Sequence, residues 1–147
     1  MILINDDLQI KDPPPWYLVA EEEIGTKEID GSGNNPRILE YHMATKLKAT
    51  DDLTPWCSSF VCWCLEQCGI ESTRNAWARS YLNWGKVLES PQYGCIVVFS
   101  RGTDSGHVGF YVGETKDSII VLGGNQSNRV CMAEYPKQRL LQYRWPA

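Results

Sequence analysis

The hydrophobic pattern changes its period once along this chain, from helical in the first ninety residues to strand-like in the rest. Trp16, Val19, Ala20 and Ile24 fall at helical spacing, and Gly25 supplies a stop. After a Gly, Ser and Asn-rich loop from Asp30 to Asn35, Asn35-Pro36 reads as an N-cap followed by proline in the first turn. A second helix then runs through Ile38, Leu39, Tyr41 and His42. Thr54-Pro55 repeats that signal for a third helix, with Phe60, Val61, Cys64, Leu65 and Cys68 on one face and Gly69 at its end. A short helical piece from Ala76 to Trp84 follows, closed by Gly85. Beyond Pro91, β-branched and aromatic runs at Cys95–Phe99, Val108–Val112, Ser118–Leu122, Arg129–Ala133 and Leu140–Arg144 alternate with turn residues.

Helices first and an antiparallel meander afterwards is the α+β class, with helices packed on a sheet of about five strands. Residues 1–15, ending in Pro13-Pro14-Pro15, read as a stiff extended lead-in, and residues 16–147 as one domain. With 147 residues, 43% of them hydrophobic, the chain has enough material for one core and too little for two ordinary domains.

The formal charge of -4, from 14 Lys and Arg against 18 Asp and Glu, offers no broad basic field for a phosphate backbone. Nucleic acid is therefore not an expected partner. No apolar run approaches the roughly 18 residues of a membrane span, so no membrane partner is expected. Met1-Ile2-Leu3-Ile4 runs straight into Asp6 and Asp7 with no basic or long apolar region of a signal peptide. A substrate outside the cytoplasm would thus have to be reached by lysis or a dedicated secretion machine. The C-x-C-x-x-x-C run from Cys62 to Cys68 lacks paired C-x-x-C knuckles, and His42 and His107 are the only histidines, so no metal site is expected. Cys62, Cys64, Cys68, Cys95 and Cys131 read as small apolar core residues, with any disulfide pairing left open.

Cys57 stands apart because it lies in the first turn of the third helix. There, unpaired amides and the partial positive charge of a helix start lower a thiol pKa, and the amides of Cys57 and Ser58 are free to meet an oxyanion. Gly106-His107-Val108-Gly109-Phe110 puts His107 at the start of a strand, as a candidate general base. Asn125, at the end of the next strand, is the candidate to orient the ring, with Gln126 facing the opposite way as second choice. Trp56, Trp84 and Gln126 are the candidates for flanking a bound peptide, although both tryptophans fit a core role equally well. His42, in mid-helix beside Tyr41, reads as a surface or packing residue.

Pro55-Trp56-Cys57-Ser58-Ser59-Phe60-Val61, Gly94 to Phe99, Gly106 to Tyr111 and Gly123-Gly124-Asn125-Gln126 resemble, in order and spacing, the NlpC/CHAP superfamily of cell-wall cysteine hydrolases. The likeness extends from residue 16 to 146 and looks like a stand-alone bacterial and phage subfamily. It implies a papain-like fold, no metal or organic cofactor, and hydrolysis of amide bonds in the peptidoglycan stem or cross-link; the chain is expected to be a monomer. By position it assigns Cys57 as nucleophile, His107 as base and Asn125 as orienting group. The subfamily includes toxins delivered to competitors, so an inhibitor or immunity protein is an implied partner. Trp56 stands where many relatives carry Asp, and Asn125 where many carry His or Glu. Two rival functions remain on sequence alone: transfer of an acyl group to an amine, and non-catalytic binding of wall peptide. Slow alkylation of Cys57 by iodoacetamide at neutral pH would favour the binder.

Overall fold

A computed structural model describes residues 12–147, so most of the expected lead-in lies outside the described residues. Three α-helices occur among them, α1 (Pro15–Glu22), α2 (Pro36–Met43) and α3 (Cys57–Gln67). A 3-10 turn at Ala78–Asn83 leads into the strands β1 (Lys86–Leu88), β2 (Ile96–Arg101), β3 (Ser105–Glu114), β4 (Ser118–Gln126), β5 (Arg129–Pro136) and β6 (Leu140–Trp145). The sheet order is β1-β6-β2-β3-β4-β5, every pair antiparallel.

The α+β expectation holds, with four differences of physical interest. Among the described residues the sheet has six strands, because Lys86–Leu88 pairs with β6; three residues give too short a run for its alternation to show in the sequence. The strands from β2 to β5 form the expected meander, but β6 returns to the far side of β2. Pro15 is not part of an extended segment: it opens α1, where its missing N–H and fixed φ cost nothing, and Pro14 before it is extended.

The fourth difference matters for the site. Thr54-Pro55 is not the start of α3. Both the amide and the hydroxyl of Thr54 donate to Asp51 Oδ1, at 2.7 and 2.9 Å, in a turn closed before the helix begins. The residue preceding the helix is Trp56, which gives no side-chain cap. Asn35 by contrast does cap α2, accepting from the Arg37 amide at 2.8 Å.

The larger core lies between the helices and one face of the sheet. Trp56, Phe60, Val61 and Leu65 meet Val108, Phe110 and Leu122 there. Phe60 packs edge-on to Tyr41 at 5.0 Å, and truncating such a ring in a closed core costs about 3–5 kcal/mol. The other face carries a smaller cluster of Cys95, Val97, Phe99, Tyr111, Ile119 and Val121, with Tyr135 and Tyr143 at its edge. Gly124 shows how closely α3 lies on β4, since a Cβ there would fall 2.7 Å from Phe60 Cβ and 2.8 Å from the Trp56 ring. The nucleophile candidate thus sits at the start of a helix packed tightly on the sheet.

Candidate active site

Cys57 is the first helical residue of α3. The first intrahelical bond, from the Phe60 amide to the Trp56 carbonyl at 2.9 Å, leaves the preceding amides of the turn without helical acceptors. Three backbone N–H groups act on the Cys57 thiol and favour its anion: those of Val108, Ser58 and Cys57 itself. Val108 directly follows His107, so the thiol lies near the start of β3, although no hydrogen bond joins it to the imidazole, whose Nδ1 is unpartnered. Burial is nonetheless the largest influence on the thiol and pushes its pKa up.

His107 is 1% exposed, and its ring is held on two sides. Nε2 lies 2.8 Å from Gln126 Oε1. The Gln126 amide nitrogen donates to the Cys131 carbonyl at 2.6 Å and the Val121 carbonyl at 3.3 Å, which fixes which end of that amide faces the histidine. Gln126 Oε1 can only accept, so His107 Nε2 carries the proton and the lone pair stays on Nδ1. Nδ1 is buried with no hydrogen-bond partner. Burial, followed by the repulsive charge of Arg101, outweighs the Gln126 bond and lowers the His107 pKa to about 4. Tyr135 stacks on the ring with centroids 4.7 Å apart and planes 21° apart.

This arrangement corrects the expected partner of His107. Strict alternation along β4 assigns Asn125 to the imidazole side and turns Gln126 away. The β4–β5 register shifts between Gly123 and Gln126, and Asn125 adopts φ 57°, the left-handed conformation of a bulge residue. One extra residue in β4 exchanges the two side chains, and Gln126, 3% exposed, takes the place expected of Asn125. Gly123 is required for the same contact, because a Cβ there would sit 2.5 Å from Gln126 Oε1 and 3.4 Å from His107 Nε2.

Cys57 opens onto a groove of about 540 Å³ lined by Leu47, Pro55, Ala76, Trp77, Ser105 and Gly106 among others. Neither tryptophan proposed for this role lies in it. Trp56 is fully buried, and its indole N–H donates to Glu28 Oε2 at 2.9 Å. Trp84 donates to the Glu71 carbonyl and borders a different hollow, near Pro146. Gln126 is committed to His107 and two carbonyls, so it does not face the groove. The aromatic that does is Trp77, 51% exposed, with its indole N–H on the Asp104 carbonyl at 2.8 Å.

Sequence reasoning also missed Tyr135 and Arg101. Burial raises the Cys57 and Tyr135 pKa values and lowers that of His107; the charge of Arg101, exposed at the end of β2, partly offsets the first two shifts and adds to the third. Alternation along β5 marks Tyr135 only as one of several half-buried residues. Of the two readings of His42 as a surface or packing residue, the packing one holds: it is fully buried, with Nδ1 3.0 Å from Ser59 Oγ. Among the described residues no group of three or more His, Cys, Asp or Glu comes together to hold a metal ion, and all six cysteines are unpaired.

A family model described as "CHAP domain" matches residues 49–125, more than half of the chain and a span that includes Cys57 and His107. Among solved structures, the chain is similar to a protein of Staphylococcus aureus subsp. aureus Mu50 described as similar to lipoprotein, NLP/P60 family. The TM-score is 0.53 at 16% identity, covering 99% of this chain and 44% of that one. The likeness is one of fold, and this chain spans less than half the length of that protein. No curated protein sequence matches.

Proposed function

The chain belongs to the CHAP domain family, whose members are generally peptidoglycan hydrolases, and from that premise we propose that it cuts amide bonds of the peptidoglycan stem or cross-link through Cys57. The observation that carries this reading is the convergence at one open helix start. Cys57 opens α3 on the groove that Ser105 and Gly106 also line, and Gly106 directly precedes a histidine whose lone pair is left on Nδ1.

The pKa directions set the order of events. With the thiol raised and the imidazole lowered, the resting pair is neutral at pH 7 rather than a thiolate–imidazolium pair. His107 Nδ1 therefore accepts the thiol proton as the sulfur attacks the amide carbonyl carbon. The carbonyl oxygen becomes an anion facing the amides of Cys57 and Ser58, where fixed dipoles in a dry site act strongly. The imidazolium then gives its proton to the departing amine. A water deprotonated by the same nitrogen cleaves the thioester and releases the thiol. Gln126 keeps Nε2 protonated throughout, so the basic lone pair never migrates to the wrong nitrogen.

A neutral resting pair also changes the meaning of slow alkylation. Burial of Cys57 makes it slow toward iodoacetamide at neutral pH even in an active hydrolase, so that result does not separate a hydrolase from a peptide binder. Digestion does. Purified sacculi incubated with the wild type should release peptide-derived fragments whose masses identify the bond cut, and Cys57→Ala should release none. Equal solubilisation by both proteins ends the hydrolase reading. The reading includes a wall substrate reached by lysis or specialised secretion, and an inhibitor protein that occupies the groove in the producing cell.

A further inference from the structure

The groove beside Cys57 carries a charge opposite to that of the chain. The sequence has a formal charge of -4, yet apart from Cys57 the ionisable side chains lining the groove among the described residues are Lys46 and Arg74. These two cations are held together by the backbone: the Lys46 amide donates to the Arg74 carbonyl at 2.8 Å, pinning the loop after α2 to the loop after α3. Arg74 is paired with Glu66 at 3.2 Å, whereas Lys46 makes no ion pair among the described residues. A second groove of about 720 Å³ also borders both residues, so Lys46 stands where the two hollows meet. That groove is of mixed charge, with Glu40 and Glu66 beside Lys46, Lys48 and Arg74, whereas the groove at Cys57 has no acidic lining among the described residues. On the Cys57 side Leu47 and Trp77 are 61% and 51% exposed, two large apolar side chains facing solvent beside the nucleophile.

We infer that the groove takes a peptide bearing a free carboxylate, which Lys46 holds while Leu47 and Trp77 cover an aliphatic stretch and Cys57 faces the amide to be cut. The inference rests on Cys57 as the reacting group and adds the chemical class of what lies beside the scissile bond: an acidic peptide, in preference to its amidated form. Arg74 supports Lys46 through its carbonyl and strengthens the local positive field despite its partner Glu66. A cation flanked by apolar surface is the arrangement that recognises an anionic group on a largely aliphatic ligand.

The test measures binding apart from turnover. Calorimetric titration of Cys57→Ala protein compares a stem peptide with free carboxylates against the same peptide with every carboxylate amidated. The free acid is expected to bind about fivefold more tightly at low salt, with the difference shrinking as salt is raised. Lys46→Gln should erase the difference and leave the amidated peptide unchanged, and a thermal melt checks that this variant is folded. Equal binding of both peptides to the Lys46-containing protein, a loss shared equally by both in Lys46→Gln, or binding of neither overturns the inference. Sacculus digestion by the wild type is scored separately. Digestion without carboxylate preference leaves the hydrolase standing and removes the anchor; preference without digestion does the reverse.

Discussion

His42 and His107 are alike in most of what usually marks a functional histidine. Both are buried, burial lowers both pKa values, and in each one ring nitrogen is bonded while the other is buried without a partner. They differ in what the bonded nitrogen meets. His42 Nδ1 faces Ser59 Oγ, a hydroxyl that donates or accepts by rotating, so neither tautomer is selected. His107 Nε2 faces an amide oxygen locked by two other hydrogen bonds, so one tautomer is imposed and the free lone pair has a fixed direction. They also differ in surroundings: His42 lies between α2 and α3, whereas His107 directly follows Gly106, which lines the groove onto which Cys57 opens. Burial and a shifted pKa therefore describe both residues, and only the fixed tautomer next to a nucleophile describes a base.

The largest effect that could break this comparison is on turnover. His107→Ala should lower the rate of sacculus solubilisation by about a thousandfold, the scale of a lost general base. His42→Ala should leave the rate within a few-fold while costing about 1–3 kcal/mol in urea unfolding, because the Ser59 hydroxyl and nearby polar groups lose a buried partner. A reversal of these two outcomes would mean that the site has been assigned to the wrong histidine.

Next in size is the tautomer lock. Gln126→Ala should reduce kcat by roughly ten- to a hundredfold with little change in KM, since the ring keeps its place but not its orientation. Asn125→Ala should leave kcat unchanged and cost about 1 kcal/mol of stability, from placing alanine at a left-handed backbone position.

The pH dependence of stability sharpens the contrast further. His107 has a folded pKa of about 4 against 6.5 for the free side chain, so the unfolded chain takes up the proton first as pH falls. Its contribution is complete above pH 6.5 and is lost between pH 6.5 and 4, about 3 kcal/mol at roughly 1.4 kcal/mol per unit. His42 adds a loss of the same sign. Urea midpoints measured from pH 7 to 4 should fall steeply in the wild type and less steeply in His107→Gln; identical slopes would show that His107 does not titrate as a buried neutral group.

The smallest effect concerns Tyr135, which touches His107 through its face. Tyr135→Phe keeps the stacked ring and should retain kcat within about twofold. Tyr135→Ala lets water reach the imidazole, so the acidic limb of the kcat–pH profile should move up from near 4 toward 6.5. An unmoved limb in Tyr135→Ala would assign the low pKa to the rest of the enclosure.

The sequence made the helices, the switch of period and the Cys57 and His107 segments legible, because each rests on patterns local to the chain. Thr54-Pro55 misled by two residues because Asp51 competes for the threonine as a turn partner, and both readings use the same residue types. Asn125 and Gln126 were exchanged because a period of two cannot register a bulge until the partner strand is known. Trp56 and Trp84 were proposed for the cleft and Trp77 overlooked because indoles in core and groove look alike in sequence. Only the course of the chain decides which meets Glu28 and which meets solvent.

The central claim is that the Cys57 sulfur carries the acyl half of the cleaved peptide. Acid-quenching the wild type within the first turnovers on soluble wall peptide, followed by intact-protein and tryptic mass analysis, should show an added mass equal to the acyl fragment. That mass should map to the peptide containing Cys57, and should be absent from Cys57→Ala. Turnover that proceeds with no such adduct, and that persists in Cys57→Ala, would contradict the account.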